Sequence, residues 1–327
     1  MKICFIDKTE FAYSFKDINT SKLRGAESIL INLSNELSKL GHEVCVFNNC
    51  EIETNNNNYS WQNINKLEKN TDYFDVVISN GDCNHFKLAS SRNNILISHS
   101  NQPIEQFIRK NQFFSYIKYK PKIWCTSKFQ VKNRSFLMKM FGHILLPWSV
   151  DNIFIKYNIE NNINNNQAIF TSRPDRNQEL LTKIWINSIH PNLPEKKLLI
   201  FGSKKKYEKG NIVNKNFTSQ KDLLKDICTS RIFLVPGHKA ETFCLAAAEA
   251  RELCVPIVTM GLGCLSERVE HGITGFIAKN TNEFKNFAIE LFKDENLWIS
   301  LRNNLISKRG HYNWTKVAKQ LTNQINV

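Results

Sequence analysis

Two glutamates bracket a run of small apolar residues in the segment ETFCLAAAEA, which extends from Glu241 to Ala250. The preceding RIFLVPG is typical of a buried parallel strand, and residues 243–251 are rich in alanine and leucine and predict a helix. The start of such a helix presents unpaired backbone N–H groups and a partial positive charge, which suit a phosphate. Glu241 just before the helix and Glu249 further along it would then bind hydroxyl groups. The pair fits a ligand that carries sugars on both sides of a diphosphate.

The same spacing also fits two glutamates that have no catalytic or binding role. A carboxylate in the first turn stabilises the helix dipole, so Glu241 would be a helix-terminal charge. Glu249 would then lie on the solvent-facing side of the helix. The rest of the sequence has to decide between these interpretations.

Strand and helix patterns alternate through the chain. The first half contains strand-like segments at residues 2–7, 44–47, 75–80, 94–100, 122–127 and 143–150. Between the first two, apolar residues recur at helical spacing until Gly41. After an asparagine-rich linker at 157–167, strands are predicted at 168–172, 198–203, 231–237, 255–261 and 276–278, with helices at 178–188, 221–229 and 282–292. Two successive α/β halves predict a cleft between them, with ligands outside the carboxyl ends of the strands.

Composition restricts the class of protein. The 327 residues favour two domains, because single cores stop growing at roughly 250–300 residues. Nine cysteines without a C-x-x-C pair predict reduced thiols in a cytosolic protein rather than disulfides or a zinc site. No apolar run approaches the ~20 residues that cross a bilayer, and the amino terminus lacks a signal-peptide pattern. The net charge of +14 suits anionic ligands, although compositional bias would give the same value.

A local cluster of positive charge extends from Arg109 to Lys139, with no acidic residue between Glu105 and Asp151. Its basic residues are Arg109, Lys110, Lys118, Lys120, Lys122, Lys128, Lys132, Arg134 and Lys139. Aromatic residues are interleaved with them. This combination suits an anionic membrane surface or single-stranded nucleic acid. A solvated face over a buried aromatic stripe would have the same pattern.

Several further motifs occur in a definite order around the E-x7-E pattern of residues 241–249. They are GAE (25–27), LPWSVDNIF (146–154), SRPDRN (172–177), VPIV (255–258), GLGCLSERVEHGITGFIA (261–278) and HYNWTKVAKQL (311–321). Together they resemble the retaining family 4 glycosyltransferases of the GT-B fold, and the resemblance covers nearly the whole chain. It favours a functional role for both glutamates.

The resemblance implies a role for each matching residue of the second half. Glu241 would hold hydroxyls of the transferred sugar, and Glu249 would hold the ribose of the nucleotide. Arg173 and Arg176 would neutralise the departing diphosphate, a task that a fixed pair of arginines performs without a metal. The backbone N–H groups of Thr242, Phe243, Cys244 and Leu245 would contact sugar and phosphate.

Other positions follow from the resemblance as well. Gly25 belongs to the glycine-rich turn near the donor phosphates, and Phe217 and Ser219 would lie beside the nucleotide base. His99, at the carboxyl end of a strand, would help to position the donor, although a lone histidine is also compatible with a structural role.

This sequence departs from the family pattern in three places. Thr242 and Cys244 stand where the family usually has glycine, and Arg24 replaces the first residue of its double glycine. The second basic residue, Arg176, comes sooner after Arg173 than is usual. These differences affect the expected donor more than the expected activity.

The prediction is therefore an α/β protein with two Rossmann-like domains in the GT-B arrangement and an interdomain cleft. Residues 1–155 would form the first, acceptor-side domain, with helix 311–327 packing back on it, and residues 156–310 the nucleotide-sugar-binding domain. The predicted protein is a cytoplasmic enzyme that moves a hexose-type sugar, with retention, from a nucleotide diphosphate sugar to a cell-envelope glycan or lipid-linked acceptor.

No metal or other cofactor is expected, because the D-x-D signature is missing. An anionic membrane surface is a candidate partner through residues 109–139, and nucleic acid is not favoured. A sugar-nucleotide epimerase of the same fold and a non-catalytic nucleic-acid-binding protein remain the alternatives.

Overall fold

A computed structural model describes residues 1–18, 23, 25–69, 72–101, 103–159, 164–216 and 219–325. The chain forms two compact units, of which one comprises Met1–Asp151 with Asn313–Val327 and the other Asn152–Tyr312. The predicted boundaries were 155/156 and 310/311, so the short helix after Asp151 belongs to the second unit. Each unit is a mainly parallel sheet with helices.

The first unit contains an eight-stranded sheet in the order β3-β4-β2-β1-β5-β6-β7-β8. Its strands are β1 (Lys2–Asp7), β2 (Glu43–Asn48), β3 (Thr54–Asn56), β4 (Tyr59–Asn63), β5 (Tyr73–Asn80), β6 (Ser90–Ile97), β7 (Lys122–Cys125) and β8 (His143–Leu145). Its helices before the second unit are α1 (Gly25–Lys39), α2 (Ile104–Arg109), α3 (Phe113–Tyr119) and α4 (Lys128–Asn133). Only β3 and β4 pair in the antiparallel sense among these strands. The central strands are continuous apolar runs because the sheet is buried on both faces.

The second unit contains a six-stranded sheet in the order β11-β10-β9-β12-β13-β14, paired in parallel throughout its described strands. The strands are β9 (Asn164–Phe170), β10 (Lys197–Phe201), β11 (Ile212–Lys215), β12 (Ser230–Gly237), β13 (Ile257–Leu262) and β14 (Gly275–Ile277). The helices are α5 (Asn152–Lys156), α6 (Gln178–Ile184), α7 (Gln220–Cys228), α8 (Leu245–Glu252), α9 (Thr281–Lys293) and α10 (Glu295–Lys308). This is the doubly wound strand order, in which ligands bind where the order reverses. That point lies between β9 and β12.

The last helix, α11 (Trp314–Ile325), packs on α1 within the first unit. Thr315 Oγ1 donates a hydrogen bond to Glu36 Oε2 at 2.6 Å, and the ring of His42 contacts Thr322 Oγ1 at 3.0 Å. Trp314 and Leu321 are buried in the same contact. The chain therefore returns to its first unit after completing the second.

Several predicted elements have different limits in the structure. The strand predicted at 143–150 ends at Leu145, shortly before Pro147, which has no N–H for a ladder. The helix predicted at 178–188 is α-helical to Ile184 and then continues as a π-helical turn over Trp185–Ile189. The helix predicted at 243–251 begins at Leu245, because Cys244 has the left-handed backbone conformation.

The predicted asparagine-rich linker at 157–167 is partly wrong. Asn164–Gln167 belong to β9, where Gln167 pairs with Lys197 and Asn164 with Ser230, and residues 160–163 lie outside the described part of the chain. Asparagine has little strand propensity, so the local sequence favours a loop, whereas pairing with two neighbouring strands stabilises the strand. The short strands β3, β4 and β11 were not predicted.

Candidate functional site

The loops after β9 and β12 bring Arg176 and Glu241 together. Arg176 Nε lies 3.0 Å from Glu241 Oε1, and the two side chains are only 17% and 13% exposed. Both loops follow the strands at which the order of the second sheet reverses. The ion pair therefore lies at the place where doubly wound sheets bind their ligands.

Two neighbours of Arg176 set its position. Asn177 has a left-handed backbone (φ 65°) directly before α6, and its Nδ2 donates a hydrogen bond to the carbonyl oxygen of Gly237 at 2.5 Å. Asp175 Oδ2 contacts both arginines, at 3.0 Å from Arg173 and 3.1 Å from Arg176. Arg173 is 65% exposed, so the two arginines have different surroundings. Asn177 lies within the motif SRPDRN, but no local pattern predicts its hydrogen bond to Gly237 at the end of β12.

Backbone hydrogen bonds hold the turn that contains Glu241. The N–H of Glu241 donates to the carbonyl oxygen of His238 at 2.9 Å, and the N–H of Cys264 donates to the carbonyl oxygen of Glu241 at 3.0 Å. Gly263 adopts φ +69°, and a Cβ there would lie 2.5 Å from His238 O and 2.7 Å from Glu241 O. Only glycine lets the two backbones approach this closely.

Burial changes the acid strength of Glu241. Desolvation raises the pKa of this carboxyl, and the positive charges of Arg176 and Arg173 oppose the change without cancelling it. The carboxylate is therefore an incompletely compensated charge. Hydroxyl donors of a ligand would stabilise its ionised form.

Helix α8 begins directly beyond this turn. Thr242, Phe243 and Cys244 are buried and Leu245 is its first residue. Cys244 caps the helix with φ 59°, a conformation that costs a non-glycine residue roughly 1–2 kcal/mol. This is one of the two positions at which the resembled family usually has glycine. Burial raises the pKa of the Cys244 thiol well above its usual value.

Glu249 is buried, at 7% exposure, in the second turn of α8. The interpretation that it lies on a solvent-facing side of the helix is therefore wrong. The expectation that Glu241 is no more than a helix-terminal charge also fits poorly, because its partner is the Arg176 side chain.

Arg268 was missed by the sequence analysis. Its guanidinium stacks 4.3 Å from the centre of the Phe243 ring, and its Nε donates to the carbonyl oxygen of Phe243 at 3.1 Å. The aromatic ring is thereby held inside the fold, and a ligand at this turn would meet the backbone of residue 243 rather than its side chain. The signal available in the sequence was a basic residue following the glycine-rich GLGC motif.

Thr171 adds a polar group to the end of β9. Its Oγ1 atom is buried and makes no hydrogen bond to the part of the chain that the structure describes. Buried hydroxyls are usually paired, so an unpaired one beside Arg173 is consistent with a ligand-binding position.

The remaining predicted residues are less informative. Ser219 caps α7, accepting a hydrogen bond from the N–H of Asp222 at 3.3 Å. Gly25 is the first residue of α1. Phe217 and Arg24 lie outside the described residues. No contact joins Ser219 to the Arg176–Glu241 pair within the described residues.

His99 lies in the first unit, at the carboxyl edge of its sheet. Its Nε2 is 2.7 Å from Asn80 Oδ1, and its ring lies 5.2 Å from the ring of Trp148. It lines a cavity of about 190 Å³ together with Ser100, Gln106 and Lys110. The residue is exposed to solvent in part, but the surrounding protein desolvates the ring and lowers its pKa to about 4. With the amide oxygen facing Nε2, the neutral ring carries its proton there and leaves Nδ1 as an acceptor.

All basic residues of the predicted segment 109–139 are exposed except Arg134. Arg134 is buried and donates from Nη1 to the carbonyl oxygen of Met138 at 3.2 Å, so it does not belong to the surface cluster. Several large apolar side chains are exposed beside the remaining cations: Ile108, Phe114, Ile117, Phe136, Leu137 and Met140. We call these six residues the apolar surface. Tyr116, whose hydroxyl donates to the carbonyl oxygen of Leu137 at 3.3 Å, joins its two halves.

Neither a membrane span nor a metal cluster is present among the residues that the structure covers. No helix there is both long and apolar enough to cross a bilayer. No three histidine, cysteine, aspartate or glutamate side chains in those residues are grouped so as to hold a metal ion.

Residues 166–309 match the model of the family described as glycosyl transferases group 1. This range is most of the second unit and includes Arg173, Arg176, Glu241 and Glu249. No curated protein sequence matched the chain. The match lies within the second unit and covers less than half of the whole chain.

Comparison with solved structures extends the likeness to the whole fold. WaaG, a glycosyltransferase involved in lipopolysaccharide biosynthesis, has a TM-score of 0.72 at 10% identity, over 99% of both chains. Anabaena Alr3699/HepE in complex with UDP-glucose has a TM-score of 0.68 at 15% identity, over 100% of this chain and 99% of that one. TarM of S. aureus, in complex with UDP and other ligands, has a TM-score of 0.64 at 16% identity over 83% of this chain. The present chain spans only 60% of the length of TarM.

Fold and family agree. The protein has the GT-B fold, built from two Rossmann-like α/β domains, as the motifs predicted. Within the second domain, residues 166–309 match the model of the group 1 glycosyl transferases.

Proposed function

We propose that the protein transfers a hexose-type sugar from a nucleotide diphosphate sugar to a cell-envelope glycan or lipid-linked acceptor, with retention of anomeric configuration. The observation that carries this proposal is the buried Arg176–Glu241 pair at the switch point of the second sheet, directly before α8. A fixed cation, a carboxylate and a helix start at one place match a diphosphate joined to a sugar. The structures of HepE with UDP-glucose and TarM with UDP support a nucleotide donor on this fold.

Each group of the site has a task in this proposal. Arg173 and Arg176 bind the diphosphate, the N–H groups at the start of α8 bind sugar and phosphate, and Glu241 accepts hydrogen bonds from sugar hydroxyls. Glu249, one turn further into α8, accepts hydrogen bonds from the ribose. His99 helps to position the donor sugar through its unprotonated Nδ1. Ser219 and Phe217 remain the proposed neighbours of the base.

The reaction breaks the bond between the anomeric carbon and the phosphate oxygen and forms one to an acceptor hydroxyl. Negative charge accumulates on the departing diphosphate, and the two arginines stabilise it, so we propose a reaction that needs no metal. The departing phosphate oxygen takes the proton of the acceptor hydroxyl, which enters on the same face. The anomeric configuration is thereby retained.

The nine cysteines are all free and buried, which suits a reducing compartment, and we propose that the enzyme acts in the cytoplasm. The apolar surface, with exposed lysines around it, would dock the first unit on the inner face of an anionic membrane. Such docking would bring the enzyme to a lipid-linked acceptor.

A panel of nucleotide sugars in a thermal-shift assay tests the donor. A ligand that binds the native state raises the melting temperature, and we expect one UDP- or GDP-sugar to do so while the corresponding monophosphate does less. The accepted sugar is then incubated with and without acceptor mixtures, and the product linkage is read by NMR. An α-linked donor should give an α-linked product. Conversion of the nucleotide sugar to an epimer in the absence of an acceptor would show that the protein is an epimerase rather than a transferase. A melting temperature unchanged by every nucleotide sugar would overturn the proposal.

A further inference from the structure

A second cavity lies at the opposite, amino-terminal edge of the first sheet from His99. Its volume is about 230 Å³, and it is formed by the first half of β6, the start of β7, the end of α3 and the end of α11. The polar residues around it include Arg92, Asn93, Asn94, Lys120, Lys122 and Gln324. Nothing in the proposed transfer reaction uses this edge of the sheet.

The cavity has an unbalanced positive charge. Arg92, Lys120 and Lys122 are exposed, and none of the three forms an ion pair with any residue that the structure describes. Among the residues described by the structure, no acidic one lines the cavity. Asp75 adjoins it, since its carbonyl oxygen accepts a hydrogen bond from Asn93 Nδ2 at 3.5 Å, but its carboxylate accepts one from the N–H of Lys2 at 2.7 Å.

The two lysines are held in place by the backbone around them. Lys120 ends α3 in the left-handed conformation (φ 45°), and its N–H donates to the carbonyl oxygen of Tyr116 at 3.0 Å. Asn94 Nδ2 fixes the preceding carbonyl, that of Tyr119, at 3.1 Å. Lys122 is fixed by the sheet, where it pairs with Ile95. The left-handed conformation is a common way to end a helix, and here it fixes the backbone position of Lys120.

We infer that this cavity binds a phosphate group. Three cations that form no ion pair with the described residues line one cavity, and arginine matches the planar geometry of phosphate oxygens. Phe141 and Ile144 form an apolar wall on the side of β8. The phosphate comes either from the headgroup of a lipid or from a free phosphorylated molecule, which present the same chemistry to the cavity.

Two probes separate these sources. Soluble glycerol 1-phosphate is titrated against the full chain at about 150 mM salt, where surface charge is screened, and the side-chain amide signals of Asn93 and Asn94 are followed by NMR. In parallel, the protein is sedimented with vesicles of phosphatidylglycerol and of phosphatidylcholine. The test variant is Lys120→Ala/Lys122→Ala. The control is Lys279→Ala/Lys293→Ala, which removes the same charge from exposed positions of the second unit.

We expect the test variant to bind its probe at least about tenfold more weakly and the control to bind like the wild type, since each cation near an anionic surface is worth about a fivefold factor. Saturable shifts of the Asn93 and Asn94 amide signals with glycerol 1-phosphate assign a free ligand. Vesicle binding also occurs through the apolar surface, so a lipid is assigned only if glycerol 1-phosphate gives no shifts and the test variant loses phosphatidylglycerol binding that the control keeps. Equal binding by wild type and test variant in both arms, or equal loss in the control, overturns the inference. UDP-sugar binding, measured separately, should be the same in all variants, so this outcome is independent of the donor site.

Discussion

Arg176 Nε lies 3.0 Å from Glu241 Oε1 in a site that is largely removed from water. The pair joins the loops after β9 and β12, which are 65 positions apart in the chain, counting from residue 176 to residue 241. Removing Arg176 takes away the ion-pair partner of Glu241, whereas removing Glu241 leaves Arg176 paired with Asp175. The proposed chemistry can therefore be tested on either partner.

Replacing Glu241 by glutamine should lower the rate of sugar transfer by about two orders of magnitude, a size typical of losing one preorganised polar contact in a transition state. The amide keeps the shape of the carboxylate but loses its charge. The protein should stay folded, because desolvation already makes the ionised carboxyl unfavourable. Steady-state rates and circular dichroism measure the two effects. Glu270→Gln, an exposed residue paired with Lys308, serves as the control and should retain full activity. Normal turnover by the Glu241 variant would reject its assignment to the sugar.

Arg176→Ala should weaken nucleotide diphosphate binding by about tenfold or more, because a charge-assisted hydrogen bond is worth roughly 1.5–3 kcal/mol. It should also lower the free energy of unfolding, since it leaves Glu241 without its partner. Arg173→Ala should weaken binding less and leave stability unchanged, because that side chain is 65% exposed. Calorimetry with UDP and urea unfolding distinguish the two variants. Identical affinities for wild type and both variants would place the diphosphate elsewhere.

Gly263→Ala should damage the site by displacing the turn that carries Glu241. The added Cβ would lie 2.5 Å from His238 O and 2.9 Å from Glu241 Cβ. We expect a loss of about 1–3 kcal/mol in stability and a strong loss of transfer. Gly272→Ala is the matched control, since it has a similar φ of +75° but meets nothing within 4 Å. Alanine has an unfavourable φ in both variants. A larger loss of stability and transfer at Gly263 is therefore due to the close approach of its backbone to His238 and Glu241. Equal losses of stability and transfer at both glycines would show that the close backbone contact at Gly263 does not matter for the site.

His99 should remain neutral throughout the mildly acidic range. Desolvation lowers its pKa from 6.5 to about 4, so the folded state binds the proton less readily than the unfolded chain. The corresponding stability is present above pH 6.5 and is lost as the pH falls through about 4. An NMR titration of the imidazole, assigned with the His99→Gln variant, measures the midpoint. A midpoint at or above 6.5 would contradict the expected desolvation and the acceptor role of Nδ1.

Phe114→Ser/Phe136→Ser should reduce sedimentation with phosphatidylglycerol vesicles, because these rings are 85% and 83% exposed and would enter the interface. Donor binding should be unchanged. Ile299→Ser/Ile306→Ser removes exposed apolar groups from α10 in the second unit and should have no effect on sedimentation. Undiminished sedimentation of the phenylalanine variant would reject docking through the apolar surface. This test leaves Lys120 and Lys122 intact, so it is separate from the phosphate cavity.

The sequence by itself determined the class of the fold and predicted where the candidate site lies. Buried strands appear as continuous apolar runs and helices as residues at helical spacing, so the alternation of the two was visible without coordinates. The motif at residues 241–249 located the start of α8 to within two residues, and SRPDRN located the arginines. These signals are local, so they can be recognised in a single sequence without knowledge of the tertiary structure.

Tertiary structure decided which of those residues touch. That Arg176, and not Arg173, pairs with Glu241 depends on the adjacency of β9 and β12, which no local pattern encodes. Strand pairing likewise overrode the loop-like asparagines of β9, and the contact with Phe243 turned Arg268 from a surface charge into a support of the site. The cavity around Arg92, Lys120 and Lys122 joins residues between 92 and 144 to the end of α11, so only the folded backbone could reveal it.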